Sequence, residues 1–295
     1  MQYSPDISWR SRRLPHCLLF SIIPSREGLF DMPRIRHSAE PYSSVPPSLE
    51  SVFQVNSASF SAHDFDFPHA LFAPMHYAPG YAYPLIVWLH GGGSDERQLQ
   101  RGMPLVSMQN YMAVAPRGIP MPDEGGAGRP CYGWMQTDEH IQQAEQRVFD
   151  AIELAGRKFH VSRRRIFLTG FDAGGTMAMR IAMSHPARFA GVLSLCGAFP
   201  SGRTPFGNLV AARRLGVFLA TGRGSIEYPA AQVCEDLRLL HTAGLSITLR
   251  QYPCGHELMP QMLADVDRWI IEQITSPRPA PAESNAEWSR DAEDR

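Results

Sequence analysis

The sequence RIFLTGFDAGGT, residues 165–176, decides the fold. Its apolar residues 166–168 predict a buried strand, and the glycine-rich residues 170–175 predict a sharp turn into a helix that begins near Thr176. Glycines at such a turn let a strand and a helix pack closely while one side chain projects between them. The projecting side chain here belongs to Asp172. A strand, a tight turn and a helix in this order predict an α/β protein whose functional side chain lies at the turn.

A second predicted strand, upstream of this turn, ends in the sequence HGGG, residues 90–93. Residues 85–89 are continuously apolar, as a parallel strand covered on both faces requires. The small residues after it allow backbone N–H groups to point into a site, although a plain glycine turn is the alternative. HGGG upstream of a glycine-rich turn is typical of the oxyanion loop of hydrolases. No GK[ST] sequence follows, which disfavours a phosphate-binding loop.

The rest of the chain alternates predicted strands and helices, which favours one α/β domain with a mostly parallel sheet and helices on both faces. Two short antiparallel strands, residues 53–55 and 70–76, are expected at one sheet edge. The interval 196–215 is too short for a full cap domain. The further predicted strands are residues 111–116, 189–195, 216–221 and 245–252, and the predicted helices are residues 96–109, 138–159, 229–242 and 260–274.

Composition sets the domain organisation and excludes several classes of partner. With 295 residues, 44% of them hydrophobic, the chain can bury a substantial core. We expect a disordered extension over residues 1–48, one folded domain over residues 49–274 and a disordered tail over residues 275–295. The formal net charge of -1 gives no electrostatic basis for binding nucleic acid. The arginine run 163–165 predicts a solvated turn before a strand.

Cysteine usage and local hydrophobicity predict a cytoplasmic protein without a disulfide framework or a zinc site. The five cysteines are odd in number, scattered and lack a CxxC pair. The apolar run 14–23 is broken by proline and is too short to span a bilayer. Two histidines and two aspartates in residues 63–69 could ligate a metal, but alternation on a half-exposed edge strand explains them better. We therefore predict no metal and no cofactor.

In combination, the motifs resemble those of the phospholipase/carboxylesterase family of α/β-hydrolases over roughly residues 53–274. They are LHGGG at residues 89–93, the turn at residue 172, PRG at residues 116–118, a tryptophan in the following loop and YPCGHEL at residues 252–258. The resemblance implies an α/β-hydrolase fold and a small or medium ester-type substrate. It also implies that His256 is the catalytic histidine and that the backbone N–H groups of Gly92, Gly93 and Ala173 bind the oxyanion.

Two of the three triad positions depart from the family pattern. Asp172 stands where the family has its nucleophilic serine. The family's acid is expected after the seventh strand, where this chain reads TGRGSIEYP, residues 221–229, and has Ser225 at the aspartate position. Glu227 could replace the acid if the loop turned it inward.

These departures leave three chemical hypotheses. A carboxylate that attacks an acyl carbon must form a mixed anhydride, which is uphill, so Asp172 cannot act as the serine does. At saturated carbon the same carboxylate is a competent nucleophile, as in the epoxide hydrolases and haloalkane dehalogenases of this fold. Alternatively, Asp172 and His256 form an ion pair in a pseudo-hydrolase that binds a ligand without turnover. A thiol nucleophile, Cys196 or Cys254, is the least favoured hypothesis.

The loop of residues 117–137 is long, rich in glycine and proline, and contains Tyr132 and Trp134. Long loops at the carboxyl ends of strands commonly shape binding sites. We therefore predict that these two aromatic residues line the substrate site, with packing of the loop on the body of the domain as the alternative. The sequence gives no prediction of oligomeric state.

Overall fold

The structure is a computed structural model that describes residues 67–121, 130–202 and 207–276. The predictions for the extension 1–48, the strand 53–55 and residues 63–66 lie outside the described residues, as does the tail beyond residue 276. Within the described ranges, no helix combines the length and the apolarity needed to cross a bilayer.

The described chain has nine strands and six α-helices. The two short strands over residues 119–121 and 131–133 and the short helix over residues 209–212 were not predicted, and most of the other elements have bounds close to the predicted ones. The strands are β1 (His69–Phe72), β2 (Tyr83–Leu89), β3 (Met112–Pro116), β4 (Ile119–Met121), β5 (Cys131–Gly133), β6 (Val161–Phe171), β7 (Gly191–Leu195), β8 (Gly216–Gly222) and β9 (Ser246–Tyr252). The helices are α1 (Gln98–Val106), α2 (Asp138–Lys158), α3 (Ala173–Ser184), α4 (Leu209–Ala212), α5 (Ala230–Thr242) and α6 (Pro260–Thr275).

Seven strands form one sheet in the order β1-β3-β2-β6-β7-β8-β9, and β4 and β5 form a separate hairpin. Only β1 is antiparallel to its neighbour, and the other pairs of the large sheet are parallel. The carboxyl ends of β2, β6, β8 and β9 therefore meet at one edge. Loops from these four strands build the candidate site.

The core lies on both faces of the sheet, as the unbroken apolar run of β2 predicts. Side chains of a strand alternate between faces, so Leu85, Val87 and Leu89 pack into one hydrophobic cluster while Ile86 and Trp88 pack into the other. All five are essentially inaccessible to solvent. This double coverage holds the central strands rigid beneath the loops that they carry.

Two local predictions differ from the structure. The arginines of residues 163–165 lie inside β6, which begins at Val161, and not in a turn before the strand. The register passes from Tyr83–Val161 to Leu85–Ile166, so β6 bulges here; Arg163 and Arg164 are exposed, whereas the half-buried Arg165 donates to the Ala82 carbonyl. Strand β1 ends at Phe72 and does not extend to residue 76.

Candidate active site

The turn between β6 and α3 places Asp172 in a strained backbone conformation at the carboxyl edge of the sheet. Its φ is 53° and its ψ is -126°, a combination that costs on the order of 1–3 kcal/mol for a residue other than glycine. Gly170 and Gly174 make the turn possible, because a Cβ atom on either one would overlap backbone atoms of the turn or of β2. The side chain of Asp172 therefore projects upward, as the sequence predicts.

Both carboxylate oxygens of Asp172 accept hydrogen bonds. The Gly92 N–H donates to Oδ2 over 3.0 Å, and the His256 imidazole lies with Nε2 3.0 Å from Oδ1. The Asp172 side chain remains 35% exposed, while that of His256 is 14% exposed. The structure thus joins three of the predicted site residues, and the donor expected to bind an oxyanion already holds a carboxylate oxygen.

The other nitrogen of His256 contacts Ser225. The distance from His256 Nδ1 to Ser225 Oγ is 2.9 Å, and the Tyr228 N–H donates to the same oxygen over 3.0 Å. Ser225 is only 6% exposed. A hydroxyl, an imidazole and a carboxylate therefore form one continuous chain, with the hydroxyl and the carboxylate exchanged relative to the family order.

With Asp172 ionised and the His256 ring neutral, donor and acceptor capacities assign the protons of the network. The ionised carboxylate of Asp172 can only accept, so His256 Nε2 carries the proton that points to it. In a neutral imidazole, Nδ1 is then an acceptor and takes the hydroxyl proton of Ser225. The basic nitrogen of His256 faces Ser225, and the N–H faces the turn. This polarity is opposite to that of a hydrolase with serine at the turn.

Glu227 also approaches His256. Its Oε2 lies 3.7 Å from Nδ1, and its side chain is largely exposed. At this distance it does not hydrogen-bond to the imidazole, and it contributes a carboxylate on the Nδ1 side of the ring. Ser225 is thus the direct partner of His256, and Glu227 is a more distant anion on the same side.

The Ser225 loop is fastened to the loop that carries His256. The Arg223 N–H donates to the Tyr252 carbonyl and the Gly224 N–H to the Cys254 carbonyl, each over 2.9 Å. Gly222 is required for this approach, because a Cβ atom there would overlap the Gly255 carbonyl oxygen. The loops after β8 and β9 therefore act as one support for the pair of site residues.

Sequence reasoning missed a buried carboxylate, Asp236, that anchors this support from α5. Asp236 Oδ2 accepts from the Tyr228 hydroxyl and from the Phe199 N–H, both over 2.8 Å, and Oδ1 accepts from Gln232 over 2.9 Å. Burial and the bond to Asp236 raise the pKa of Tyr228. In the sequence Asp236 directly follows Glu235 in the same predicted helix, and nothing distinguished the buried acid from the exposed one.

His90 and Trp134 support the glycine loop of residues 90–93, which the sequence predicts to bind an oxyanion. The Gly118 N–H donates to His90 Nε2 over 2.8 Å, so Nδ1 carries the proton and donates to the Gly91 carbonyl over 2.8 Å. Burial lowers the pKa of His90 and keeps it neutral. Trp134, predicted to line the substrate site, is 2% exposed, and its indole N–H donates to the His90 carbonyl over 2.8 Å. Its position matches the packing alternative.

Tyr132 lies in the β4–β5 hairpin, which is tied to the same loop. The Gly93 N–H donates to the Tyr132 carbonyl over 3.0 Å, so it is directed to the hairpin and not to Asp172. Arg117 stacks over the Tyr132 ring and forms two 2.6 Å hydrogen bonds with the buried Glu96. These bonds to Glu96 raise the pKa of Arg117. The half-buried ring of Tyr132 remains a candidate wall of the site.

Three predictions remain to be compared with the structure: the Ala173 N–H as an oxyanion donor, the two cysteines as nucleophiles and the absence of a metal site. Ala173 begins α3, and its N–H has no acceptor among the described residues. Burial raises the pKa of Cys196 to about 11 and also raises that of Cys254, which leaves both thiols protonated. In the part of the chain that the structure describes, no group of three His, Cys, Asp or Glu side chains could hold a metal ion.

Comparison with known proteins connects this geometry to a family. Residues 79–274 match the phospholipase/carboxylesterase family. The chain is 32% identical to "Putative esterase NocK" of Nocardia uniformis subsp. tsuyamanensis over 119 residues, which make up 40% of this chain and 34% of that protein. It thus spans about a third of that relative's length. It is 22% identical to acyl-protein thioesterase 1 of Gibberella zeae over 204 residues, 63% of this chain and 85% of the relative.

Solved structures support the same fold. A carboxylesterase of Bacillus cereus superposes with a TM-score of 0.56 at 18% identity, covering 77% of this chain and 100% of that one. A carboxylesterase of Mesorhizobium loti gives a TM-score of 0.58 at 19% identity, covering 71% of this chain and 96% of that one. The names of the family and of these relatives point to a hydrolase. The chain has the α/β-hydrolase fold and belongs to the phospholipase/carboxylesterase family.

Proposed function

We propose that this protein hydrolyses a small or medium ester-type substrate, with Asp172, His256 and Ser225 as its reacting unit. The observation that carries the proposal is the unbroken chain of contacts across His256, 3.0 Å to the carboxylate and 2.9 Å to the hydroxyl. Ester hydrolysis by this fold needs a hydroxyl, an imidazole and an orienting carboxylate. All three chemical groups are kept, although two have exchanged positions.

Membership of the family favours the same substrate class. The relatives are named as an esterase, a thioesterase and carboxylesterases. An acyl group bound through oxygen or sulfur is the substrate that these names share. We infer no cofactor for this reaction, since the three side chains supply the nucleophilic, basic and orienting groups.

A second candidate function is hydrolysis at saturated carbon with Asp172 as the nucleophile. It is favoured by the 3.0 Å hydrogen bond from the Gly92 N–H to Asp172 Oδ2. In this reaction Oδ1 would displace a leaving group, and Oδ2 would become the carbonyl oxygen of an alkyl ester that is already held by the loop. The leaving group would need a donor, however, and the Trp134 indole N–H is committed to the His90 carbonyl.

Parallel assays on three substrate classes test the proposal. The parent protein, Asp172→Ala and His256→Ala are assayed on p-nitrophenyl acetate and butyrate, on a styrene epoxide and on a 1-haloalkane. We expect ester hydrolysis by the parent alone, with kcat lowered about 10⁴-fold in Asp172→Ala because the orienting carboxylate is lost. Turnover of only the epoxide or haloalkane would favour the second candidate.

A parent protein that turns over none of these substrates would contradict both. Inactivity combined with ligand binding that Tyr132→Ala weakens would instead identify a pseudo-hydrolase. Tyr81→Ala is a suitable control for that binding experiment, because it also removes an aromatic ring but lies before β2, at the amino end of that strand.

A further inference from the structure

Ser225 has the contacts of an activated nucleophile, even though it stands at the position expected for the acid. His256 Nδ1 lies 2.9 Å from Ser225 Oγ and is the acceptor nitrogen of a neutral ring whose Nε2–H points to Asp172. Asp172 fixes that tautomer by accepting the proton of Nε2. A carboxylate that orients the imidazole and a nitrogen that faces the hydroxyl are the roles that define a catalytic triad. All three groups of a triad are therefore present, but His256 presents Nδ1 to the hydroxyl and Nε2 to the carboxylate.

The Ser225 oxygen also has the electrons needed for attack. The hydroxyl donates its proton to His256 and accepts the Tyr228 N–H over 3.0 Å, which leaves one lone pair without a partner. Ile226 and Glu227 follow directly and are strongly exposed. The hydroxyl thus lies just beneath a solvent-facing surface, at the carboxyl edge of the sheet.

Backbone donors for a developing oxyanion lie beside this hydroxyl. The N–H groups of Ile226 and Glu227 have no acceptor among the described residues. In α/β-hydrolases, the N–H of the residue after the nucleophile is one of the two oxyanion donors, and Ile226 occupies that place relative to Ser225. The Gly92 N–H cannot serve a substrate in the observed state, because it already binds Asp172 Oδ2.

We propose that Ser225 is the nucleophile of a permuted triad, with His256 Nδ1 as its base and Asp172 as the orienting carboxylate. This inference rests on the proposed ester hydrolysis and names the atom that attacks. It assigns the turn residue, where the family places its nucleophile, to the supporting role. The substrate is an acyl ester whose carbonyl oxygen reaches the Ile226 and Glu227 N–H groups.

The reaction then proceeds in two steps, acylation of Ser225 and hydrolysis of the acyl-Ser225. Ser225 Oγ bonds to the acyl carbon, its proton passes to His256 Nδ1, and the carbonyl π pair moves onto oxygen. When that pair returns, the bond to the leaving alkoxide breaks and the alkoxide takes the Nδ1 proton, leaving acyl-Ser225. Water then attacks the acyl carbon through the same proton route and restores the Ser225 hydroxyl. The imidazolium formed each time lies between Asp172, at 3.0 Å, and Glu227, at 3.7 Å.

Covalent labelling identifies the nucleophile directly. We would treat the purified full chain with an alkyl fluorophosphonate, count adducts by intact mass and locate them by peptide mapping. We expect one adduct per chain, on Ser225. It should disappear in Ser225→Ala, form about 10⁴-fold more slowly in Asp172→Asn, and form normally in Ser276→Ala, which removes an exposed hydroxyl at the end of α6.

A second variant guards against loss of folding in Ser225→Ala. In Ser225→Cys the imidazole should draw the thiol proton, so iodoacetamide should react at that position faster than at any native cysteine, and His256→Ala should abolish the difference. Absence of an adduct on the parent, an adduct elsewhere, or a thiol unaffected by His256→Ala would overturn the proposal.

The outcomes separate this inference from the proposed function. If the parent and Ser225→Ala both hydrolyse p-nitrophenyl esters at similar rates, ester hydrolysis stands and Ser225 is not the nucleophile. If the parent neither hydrolyses esters nor takes up the label, the proposed function and the permuted triad fail together.

Discussion

Exchanging the two outer members of the triad should create the family's usual arrangement. Asp172→Ser with Ser225→Asp places a hydroxyl at the turn and a carboxylate beside His256 Nδ1. The change frees the Gly92 N–H, which now binds Asp172 Oδ2, and the Ala173 N–H has no acceptor among the described residues. The new acid gains the Tyr228 N–H that Ser225 accepts today. Every group of a serine hydrolase would then have its partner.

The size of the expected rate difference follows from how far the side chains at positions 172 and 225 reach toward His256. An aspartate oxygen lies one bond, about 1.5 Å, further from the backbone than a serine oxygen. Asp172→Ser alone therefore widens the 3.0 Å contact to Nε2 beyond hydrogen-bond range, and Ser225→Asp alone overfills a position that is 6% exposed. The double exchange keeps the summed reach constant, so the imidazole needs only to shift toward residue 172.

We therefore expect the double variant to hydrolyse p-nitrophenyl acetate about 10⁴-fold faster than Asp172→Ser, since the orienting carboxylate is worth that factor in kcat. This ratio corresponds to about 5.4 kcal/mol in activation free energy. The assay is kcat for both single variants and the double variant, with fluorophosphonate labelling expected to move to position 172. A double variant no faster than Asp172→Ser would refute the reasoning, because the site would then lack a working histidine or oxyanion loop.

Three further predictions concern the surroundings of the site. Burial lowers the pKa of His90, so its contribution to the free energy of unfolding is intact above the unfolded pKa of about 6.5 and is lost as pH falls, by up to about 1.4 kcal/mol per pH unit. In urea titrations at pH 7.5 and pH 5.5, the free energy of unfolding should change less in His90→Gln than in the parent. Gly222→Ala should lower kcat/KM about 10²-fold by displacing the loop after β9, whereas Gly80→Ala, with open space around it, should not. Cys196, with its pKa raised to about 11, should resist iodoacetamide at pH 8 while the exposed Cys234 reacts; rapid alkylation of Cys196 would contradict its burial.

The elements of the fold were predictable because their signals are local. The apolar run of β2 and the glycines around Asp172 each follow from geometry within a few residues. The position of Ser225 in the loop after β8 came instead from the family resemblance, and its role in the site remains a prediction. The bulge in β6 was not predictable, since it depends on register against β2 and not on the arginines themselves.

The sequence could not predict which nitrogen of His256 faces Ser225 and which faces Asp172, because that depends on contacts between distant segments. Ser225 and His256 are 31 residues apart, and Asp172 and His256 are 84 residues apart. Which nitrogen carries a proton follows only when both neighbours of the ring are known. Trp134 illustrates the same limit, since an aromatic loop residue reads identically whether it faces a substrate or, as here, the His90 carbonyl.

The β4–β5 hairpin has a consequence for how this protein could acquire new specificities. Its two strands enclose residues 122–129, and its base is fixed by the Gly93–Tyr132 hydrogen bond and by the Arg117–Glu96 pair. The strands themselves can change in composition at little thermodynamic penalty, because both are fastened at the base of the hairpin. Libraries randomised at Met121, Cys131 and Tyr132, the half-buried residues of the hairpin, should therefore diversify substrate choice while leaving the chemical step intact, which makes this hairpin the natural starting point for engineering the protein.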